Sequence, residues 1–401
     1  MDIKNLPIIV IGTGSVGIKF VNELLYRQPG SIIKIFGCEE QHSYSRESLS
    51  KLLAGNITKD SLFTTNKIHT SKDVKEFLNN PIVNINTEKK EVTDSKGIQH
   101  RYKKLVIAVG SQPRLLNIEG KGLKNLFMLN NINDVELLKS RQVSSRHTII
   151  IGAGLVGLDT ACAMSKHKTK ITIIENHPIL MNQLLDKHAS VYLRLFLDDR
   201  GIDVHNQTDV VKIEGKTKVE KIILDDGTTI LCDTIICSTG SIPNTELAAN
   251  TNLNINQGIL VDDTLQTSHK DIYAVGECIE HRDKIYNTVQ PGFKQAAVLA
   301  KIIAGGTAKY KGSITSTQLG VVEYPVLSIG TTRSDSDGDE EIMYRDIKQL
   351  IYRKLVLNNG CLSGVIATGS WEMSDILLKL VEKKQYIWPW QRKKFVETGS
   401  F

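Results

Sequence analysis

The sequence has little of what would place the chain in a membrane, in a disulfide framework or on a nucleic acid. No apolar run approaches the roughly 20 residues that a membrane-spanning helix needs. Six cysteines among 401 residues are ordinary usage and give no disulfide scaffold. The net charge is only +6 and aromatic residues make up 6% of the chain, without a dense basic stripe. These features argue against nucleic-acid binding.

The composition that remains indicates a globular protein of several domains, with 41% hydrophobic and 23% charged residues. A chain of 401 residues is too long for one simple core, so we expect two or three domains. The apolar stretch Ile8–Ile11 runs straight into a glycine motif without a small-residue cleavage site, so it does not resemble an export signal. We therefore expect a cytoplasmic location.

Two stretches of the sequence repeat each other. Residues 8–25 read IIVIGTGSVGIKFVNELL, and residues 148–164 read TIIIGAGLVGLDTACAM. In each, a β-branched run is followed by G-x-G-x-x-G and a helical pattern, which is typical of a dinucleotide-binding turn. The first glycine allows a tight turn, the second lets backbone approach a pyrophosphate, and the third lets helix and strand pack closely. The predicted contacts are Gly12, Gly14, Ser15, Val16 and Gly17 in the first repeat, and Gly152, Gly154, Leu155, Val156 and Gly157 in the second.

An acidic residue follows each glycine turn at the end of a second strand. In IKIFGCEE the predicted second strand ends in Glu39, and in KITIIEN it ends in Glu175. Each lies roughly 20 residues beyond its turn, where a carboxylate can hold a ribose diol. The sequence therefore predicts two dinucleotide sites. A carboxylate at Glu175 would accept from a 2′-hydroxyl and repel a 2′-phosphate, and no arginine follows at once in ENHPIL. We expect the second site to prefer NADH to NADPH.

The tandem units resemble the FAD/NAD(P)-dependent pyridine nucleotide-disulfide oxidoreductase superfamily. Phe36–Gly55 is similar to the segment after the FAD ribose acid in rubredoxin and ferredoxin reductases, and more so to the flavin domain of NADH-dependent assimilatory nitrite reductases. Tyr102–Arg114 resembles the strand that closes over FAD, and Thr234–Ala248 the crossing back from the NAD domain. Asp271–His281 resembles the last FAD contact. The resemblance covers essentially the whole chain.

The resemblance implies further cofactor contacts. Glu277 would bond a ribityl hydroxyl of FAD, where most relatives have aspartate, and Arg46 would reach the FAD pyrophosphate, with Arg114 as a weaker candidate. Pro291 lies in the first turn of a helix whose N-terminus would point at the flavin pyrimidine edge, where reduced flavin gathers negative charge. The remaining implied contacts are Ala108, Val109 and Gly110, which stand for the usual Ala-Thr-Gly, with Gly240 and Gly276.

Two residues carry the expected catalytic roles. In relatives the lysine corresponding to Lys51 lies near flavin N5, where its charge can stabilise added electron density. The alternative is a solvated lysine after a helical turn. Asp159 stands where many relatives have a glutamate that pairs with this lysine, and its shorter side chain leaves that pairing open.

The cysteines do not predict dithiol chemistry. Cys232 and Cys237 have the spacing of the disulfide-reductase pair, but that pair belongs on the helix after the first FAD strand, where YSRESLSK has no cysteine. An offset of five along a strand also puts two side chains on opposite faces, about 16 Å apart along the strand. Cys278 is expected to be a small packed residue rather than a redox thiol.

The fold expected is α/β, with two Rossmann-like domains of the glutathione reductase type and a small C-terminal α+β domain. The FAD domain is predicted at residues 1–115 and 243–308, the NAD domain at 116–242 and the C-terminal domain at 309–401. In the last, LGVVEYPVLSIG, EEIMYRD and QLIYRKLVL are predicted strands and SWEMSDILLKLVEKK a helix. Trp388 and Trp390 would either form a docking edge or cover this domain's own core, and we favour the core.

The function implied is that of an FAD-dependent NADH reductase. No iron–sulfur or haem motif follows in this sequence, so electrons would pass to a separate rubredoxin, ferredoxin or nitrite/nitrate reductase-type protein. A small acidic partner would suit the basic cluster in QRKKF. No metal ligand set is predicted, and a homodimer is possible. Two alternatives stay open: an NADH oxidase using oxygen or peroxide, and a non-enzymatic FAD-binding redox sensor.

Overall fold

The computed structural model describes residues 6–63, 67–68, 72–319, 324–334 and 338–401. The chain divides into two compact units. The first consists of Met1–Arg46, Lys59–Gln112 and Ser241–Ser313. The second consists of Glu47–Thr58, Pro113–Gly240 and Ile314–Phe401. None of the helices among the described residues is long and apolar enough to cross a membrane.

The helices and strands alternate through much of the chain. Residues 8–113 form β1 (Ile8–Ile11), α1 (Ser15–Arg27), β2 (Ile33–Phe36), α2 (Leu49–Leu53), β3 (Val74–Phe77), β4 (Ile82–Asn86), β5 (Glu91–Asp94), β6 (Gln99–Arg101), β7 (Lys104–Ile107) and β8 (Ser111–Pro113). Residues 126–237 form β9 (Leu126–Phe127), α3 (Ile132–Ser144), β10 (His147–Ile151), α4 (Leu155–Met164), β11 (Lys170–Glu175), α5 (Lys187–Asp199), β12 (Ile202–Asn206), β13 (Val210–Glu214), β14 (Lys221–Leu224), β15 (Thr229–Leu231) and β16 (Thr234–Cys237).

The remaining third adds short strands, a long helix and a second, antiparallel region. It forms β17 (Ser241–Pro243), α6 (Glu246–Ala249), β18 (Ile259–Val261), β19 (Ile272–Ala274), β20 (Ile279–His281), β21 (Lys284–Ile285), α7 (Val289–Ile303), β22 (Ser316–Gln318), β23 (Val326–Gly330), β24 (Asp339–Asp346), β25 (Ile351–Asn358), β26 (Cys361–Thr368), α8 (Ser374–Glu382) and α9 (Pro389–Thr398).

The first unit is built on a parallel sheet with the strand order β19-β7-β1-β2-β3. All four residues of β1 are buried, as expected for a strand covered on both faces. Helices α1 and α7 pack against each other, and α1 buries residues spaced three or four apart, including Ile18, Val21 and Leu24. The sheet brings the turn after β1 next to the ends of β7 and β19, because parallel strands end at one edge.

The second unit repeats this arrangement with a parallel sheet in the order β12-β11-β10-β16-β9. Helix α4 follows β10 as α1 follows β1, and eight of its ten residues are buried. The short helix α2 belongs to this unit and packs on α3 and α4. The prediction of two Rossmann-like α/β halves is confirmed.

The C-terminal part of the second unit is an antiparallel sheet in the order β22-β23-β26-β25-β24, with α8 and α9 against it. The expected α+β arrangement of helices and strands is confirmed. Residues 320–323 of the first predicted strand lie outside the residues that the structure describes. We did not predict β26, which pairs with β25 through a two-residue loop, Asn359 and Gly360. Both have positive φ, 48° and 78°, as a two-residue hairpin turn requires. The Asn-Gly pair is the sequence signal typical of such a turn.

The prediction that Trp388 and Trp390 cover the core of this region is wrong. They are 49% and 66% exposed, and their rings stack on each other with centroids 5.1 Å apart. Trp388 precedes α9, and Trp390 lies in its first turn, whereas the next helical turns bring Phe395 into the core. Trp371 packs there instead, 8% exposed and 6.1 Å from the Phe395 ring.

A buried ion pair joins the C-terminal sheet to the start of helix α5 in the same unit. Lys354 Nζ lies 2.8 Å from Asp186 Oδ2 and 3.1 Å from Glu341 Oε1, with its side chain 2% exposed. Tyr352 also donates to Asp186, at 2.7 Å, just before α5 begins. Such a paired, hydrogen-bonded charge holds two surfaces in one register, because either partner alone would be a buried unpaired charge.

Candidate dinucleotide-binding sites

The first glycine turn has the geometry that a bound pyrophosphate needs. Gly12 has φ +116°, and a Cβ there would lie 2.1 Å from the carbonyl oxygen of Ala108. A Cβ on Gly17 would lie 2.1 Å from the carbonyl oxygen of Gly12. A Cβ on Gly14 would meet nothing within 4 Å. The outer two glycines are therefore required by packing, while Gly14 leaves an open face at the N-terminus of α1.

The second glycine turn has the same geometry. Gly152 has φ +103° with its Cβ position 2.2 Å from the carbonyl oxygen of Ser238, and that of Gly157 lies 2.1 Å from the carbonyl oxygen of Gly152. Gly154 again has nothing within 4 Å. Helices α1 and α4 begin right after these open glycines, at Ser15 and Leu155, so the helix N-termini, where an anion would bind, lie at the open positions. The residues present at both turns fit a dinucleotide.

Glu39, the predicted ribose acid of the first site, accepts hydrogen bonds from two side chains of the following loop. Tyr44 donates its hydroxyl to Glu39 Oε2 at 2.6 Å, and Arg46 donates to Oε1. The Tyr44 carbonyl accepts from Ser15 Oγ at 3.4 Å, which ties this loop to the start of α1. The structure thus brings Arg46, Glu39 and Ser15 to one edge of the first sheet.

Glu175, the predicted ribose acid of the second site, accepts hydrogen bonds from backbone N–H groups. Glu175 Oε2 accepts from the N–H of Ala153 at 2.7 Å, and Oε1 accepts from the N–H of His177 at 2.9 Å. Each carboxylate oxygen has a second lone pair, so the two hydroxyls of a ribose can still be bound. The bond to Ala153 places the carboxylate beside the glycine turn, between Gly152 and Gly154.

Glu277 follows the end of β19 in the first unit. Ser111 donates its hydroxyl to Glu277 Oε2 at 2.5 Å, and Gly276, with φ +92°, donates its N–H to Gln295 Oε1 at 2.7 Å. Gln295 is fully buried on α7, and its Nε2 has no hydrogen-bond partner among the described residues. Sequence reasoning missed Ser111 and Gln295. The only available signal was a polar residue on an otherwise apolar helix face.

Helix α7 packs closely on the first glycine turn. A Cβ on Gly292 would lie 2.5 Å from Val16 Cγ2, so only glycine lets α7 approach α1 here. Pro291 is buried in the first turn of α7, as the sequence predicts for that position.

The other predicted contacts lie at two places. In the first unit, Val109 and Gly110 follow Ala108 at the end of β7, and their carbonyls accept from Asn244 Nδ2 at 2.8 Å and Asn244 N at 3.0 Å. In the second unit, Arg114 donates its N–H to the carbonyl of Gly240 at 2.9 Å. The first two bonds hold Asn244 against the end of β7, and the third makes Arg114 and Gly240 direct neighbours.

Lys51 lies on α2, against the helix that carries Asp159. Ser50, the residue before Lys51, donates to Asp159 Oδ2 at 3.3 Å, and Asp159 is 6% exposed. Gln142 of α3 donates to the carbonyl of Leu53 at 3.2 Å and so fixes the other end of α2. The structure therefore brings the Lys51 segment and Asp159 together within the second unit, with Ser50 as a contact that the sequence did not single out.

The buried cysteine thiols have raised pKa values. Burial raises the pKa of Cys232 and of Cys237 to about 12. Burial also raises the pKa of Cys278 to about 11, against a smaller lowering by backbone hydrogen bonds. Cys278 Sγ lies 3.4 Å from the carbonyl oxygen of Val275 and is fully buried. These thiols stay protonated at neutral pH, and Cys278 is a packed residue. The described residues contain no group of three or more His, Cys, Asp or Glu suited to a metal ion.

The fold and the paired glycine turns define a protein with two dinucleotide sites of the oxidoreductase type. Residues 6–297 match the family described as pyridine nucleotide-disulphide oxidoreductase, and residues 316–385 match the rubredoxin NAD+ reductase C-terminal domain. The chain belongs to the pyridine nucleotide-disulphide oxidoreductase family. The resemblance drawn from the sequence is therefore confirmed.

Relatives with this sequence pattern include electron-transfer enzymes. The nitrite reductase [NAD(P)H] of Bacillus subtilis (strain 168) is 32% identical over 94% of this chain and 47% of its own length. The assimilatory nitrate reductase electron transfer subunit of the same organism is 31% identical over 96% of this chain and 51% of its own length. The chain thus spans about half the length of these two relatives. The rubredoxin-NAD(+) reductase of Ectopseudomonas oleovorans is 30% identical over 71% of this chain and 74% of its own.

Solved structures share this fold. The reductase in the covalent putidaredoxin reductase–putidaredoxin complex superposes with a TM-score of 0.88 over 99% of both chains, at 22% sequence identity. The ferredoxin reductase for the CYP199A2 system of Rhodopseudomonas palustris gives a TM-score of 0.83 at 23% identity, over 91% of both chains. At this identity the likeness establishes the fold.

Proposed function

We propose that the chain is an FAD-dependent NADH oxidoreductase that passes electrons to a separate redox protein. The observation that carries this proposal is the duplicated glycine turn, in which Gly14 and Gly154 alone face open space while their flanking glycines are locked by packing. When bound, NADH supplies a hydride, and FAD accepts it and can release the electrons one at a time. The family to which the chain belongs supports an oxidoreductase.

The first unit would hold FAD through residues whose positions are fixed before the cofactor arrives. The N-terminus of α1 would bind the pyrophosphate over Gly14, and Glu39 would hold the ribose diol. Glu277, oriented by Ser111, would accept from a ribityl hydroxyl. Arg46 would be a charge-assisted donor to the FAD pyrophosphate. Arg114, which belongs to the second unit, is a weaker candidate for the same role.

The second unit would hold NADH in the same manner. The N-terminus of α4 would bind its pyrophosphate over Gly154, and Glu175 would accept from both ribose hydroxyls. Because backbone N–H groups already orient this carboxylate, it would remain beside the ribose and repel a phosphate there. The preference for NADH over NADPH follows.

Lys51 is proposed as the residue that stabilises electron density on the flavin, and Asp159 as its positioning residue. The Ser50–Asp159 bond supports this assignment because it fixes α2 on α4. We also propose the domain limits of the sequence analysis, with FAD on residues 1–115 and 243–308, NAD on 116–242 and the α+β domain on 309–401.

The acceptor is proposed to be a small acidic redox protein of the rubredoxin, ferredoxin or nitrite/nitrate reductase type. The names of relatives, which include a rubredoxin-NAD(+) reductase and an assimilatory nitrate reductase electron transfer subunit, support this class. The net charge of +6 would favour an acidic partner through steering. A cytoplasmic location and a homodimer complete the proposal.

The test is NADH turnover with and without an acceptor protein. Purified, FAD-loaded chain is mixed with NADH and either rubredoxin, a [2Fe–2S] ferredoxin or air alone, with the Gly154→Val variant as a matched control for the NADH site. Turnover with an acceptor protein that Gly154→Val abolishes is the expected result. Turnover in air alone, unaffected by added acceptor, would establish an NADH oxidase instead.

A further inference from the structure

The segment that leads from α8 into α9 exposes three aromatic rings that touch one another. Tyr386, Trp388 and Trp390 are all exposed. The rings of Tyr386 and Trp388 meet edge to face with centroids 4.9 Å apart, and Trp388 stacks on Trp390 at 5.1 Å. Together the rings present roughly 300 Å² of aromatic surface, and exposed apolar patches of this size often mark interaction sites.

The backbone under these rings is fixed by packing and hydrogen bonds. Ile387, which precedes Trp388, is fully buried, and its N–H donates to the carbonyl of Gly360 at 2.9 Å. Arg392 Nε donates to the carbonyl of Ile387 at 2.8 Å. The N–H of Trp388 donates to Gln391 Oε1 at 3.0 Å. Because the backbone is already held in place, a partner that covers the rings would have little chain to order.

The surroundings of the rings are basic. Residues 382–397 contain five lysines and arginines and two glutamates, so this segment carries a net charge of +3, half that of the chain. Lys393 and Lys394 lie three and four residues after Trp390 on α9 and therefore share its exposed face. Arg392 is paired with Glu340 at 2.7 Å, whereas neither lysine has an ion-pair partner among the residues that the structure describes. Such cations beside apolar rings suit a partner that carries carboxylates.

The composition of this surface favours an acidic protein over the other occupants that could cover the rings. A second copy of this chain would bring the same positive charge, so like charges would oppose that pairing. A bilayer would need an apolar stripe along α9, but the exposed side of the helix carries Lys393, Lys394 and Glu397. An aromatic centre with a charged rim is instead the arrangement of protein–protein interfaces.

We propose that Trp388 and Trp390, with Lys393 and Lys394 beside them, form a docking surface for a small redox protein whose contact face is acidic. The inference rests on the proposed function, since this partner is the acceptor of the electrons. The rings supply the apolar contact that holds the complex, and the lysines steer the approach of the acidic face. The surface lies outside both family matches, which cover residues 6–297 and 316–385, so it is a feature of this chain.

The test measures the steady-state reduction of acceptors by NADH in the FAD-loaded chain. The probes are a rubredoxin, an acidic [2Fe–2S] ferredoxin and ferricyanide, a small acceptor that needs no docking surface. The double variant Trp388→Ala/Trp390→Ala is expected to raise KM for the protein acceptor at least about tenfold and to change kcat by less than about twofold. Its turnover with ferricyanide should equal that of wild type. Tyr26→Ala, which removes another exposed ring, is the matched control and should leave every value unchanged.

The lysines are tested by charge reversal. Lys393→Glu and Lys394→Glu should each raise KM for the protein acceptor at least about threefold, and the increase should shrink as salt rises. Lys348→Glu is the matched control. Lys348 is an exposed cation in the turn between β24 and β25, at the opposite end of these strands from Gly360.

Unchanged KM values in either set of variants overturn the docking surface and leave the reductase in place. Binding of wild type to anionic phosphatidylglycerol vesicles that Trp388→Ala/Trp390→Ala abolishes, with KM unchanged, would assign the rings to a membrane surface instead. Reduction of ferricyanide but of neither protein by wild type overturns the acidic acceptor. Failure of NADH to support even the reduction of ferricyanide overturns the proposed function itself.

Discussion

A Cβ atom on Gly17 would lie 2.1 Å from the carbonyl oxygen of Gly12, whereas a Cβ on Gly14, between them, would meet nothing within 4 Å. The same contrast holds for Gly157 and Gly154. Packing thus explains the outer glycines without any ligand, but it does not explain the central one. The open central position is the feature of each turn that points to a bound phosphate.

The central glycines should therefore separate binding from folding. We expect Gly14→Val to fold and to purify without FAD, because the new side chain occupies the phosphate position. Gly154→Val should keep FAD and lose reduction by NADH. Gly17→Val should instead lower the free energy of unfolding by several kcal/mol, about 3 or more, because the backbone cannot yield. Flavin absorbance and urea unfolding measure these effects, and a Gly14→Val protein with its full flavin content would contradict the account.

The local part of each site was predictable from the sequence. The glycine turns and the acids Glu39 and Glu175 are recognised by spacing alone, because strand, turn, helix and second strand lie within about 30 residues. The contacts that hold the acids were not predictable. The Ser111–Glu277 bond joins residues 166 positions apart, and the bond from Arg333 to the carbonyl of Asn182 joins residues 151 positions apart. No local pattern encodes such pairs.

Burial of Cys278 predicts that its thiol takes no part in catalysis. Its raised pKa, about 11, keeps it protonated, and thiolate is the reactive form. In the native chain, 5,5′-dithiobis(2-nitrobenzoic acid) should modify the exposed Cys38 and leave Cys278 unmodified until unfolding. The Cys278→Ala variant should be reduced by NADH at a rate within about twofold of wild type. Loss of reduction in that variant, with flavin content preserved, would assign the thiol a redox role.

A buried carboxylate in the first unit should make stability depend on acid pH. Burial alone would raise the pKa of Asp94, but hydrogen bonds from His100, Asn80 and the N–H groups of Ile98 and Lys96 lower it to about 2, from 3.8. Because the folded pKa is depressed, this stabilisation is present above about pH 4 and is lost as the pH falls toward 2.

The variant Asp94→Asn tests that dependence. It should be less stable than wild type at pH 7, and its free energy of unfolding should fall less steeply between pH 4 and pH 2. Asp225→Asn, at an exposed turn, serves as the control. Parallel pH profiles for wild type and Asp94→Asn in urea unfolding would show that the cluster contributes nothing.

The three tryptophans should differ in their effect on stability. Trp371→Ala is expected to cost about 3–5 kcal/mol, because the ring is buried against Phe395. Trp388→Ala and Trp390→Ala should each cost no more than about 1 kcal/mol, because both rings are exposed and lose only contacts with each other and, for Trp388, with the Tyr386 ring. Trp371→Phe provides a milder variant if the alanine variant does not fold. Equal losses at all three positions in chemical unfolding would contradict the placement of α9.

The exposed tryptophans also show where sequence reasoning reaches its limit. From the sequence we favoured burial of Trp388 and Trp390 in the core, and the structure exposes both. The sequence could not reveal that Trp371 and Phe395 already fill that space, because the hairpin of β25 and β26 and the helix α9 must be assembled first.

The most direct test of the central claim is an anaerobic titration of the FAD-loaded chain with one equivalent of NADH, followed by its visible spectrum, and then the same titration with NADPH. The account predicts that the oxidised flavin bands bleach within seconds with NADH and far more slowly with NADPH. A bound flavin that neither nucleotide reduces would contradict the reductase and leave a flavin-binding protein without this activity.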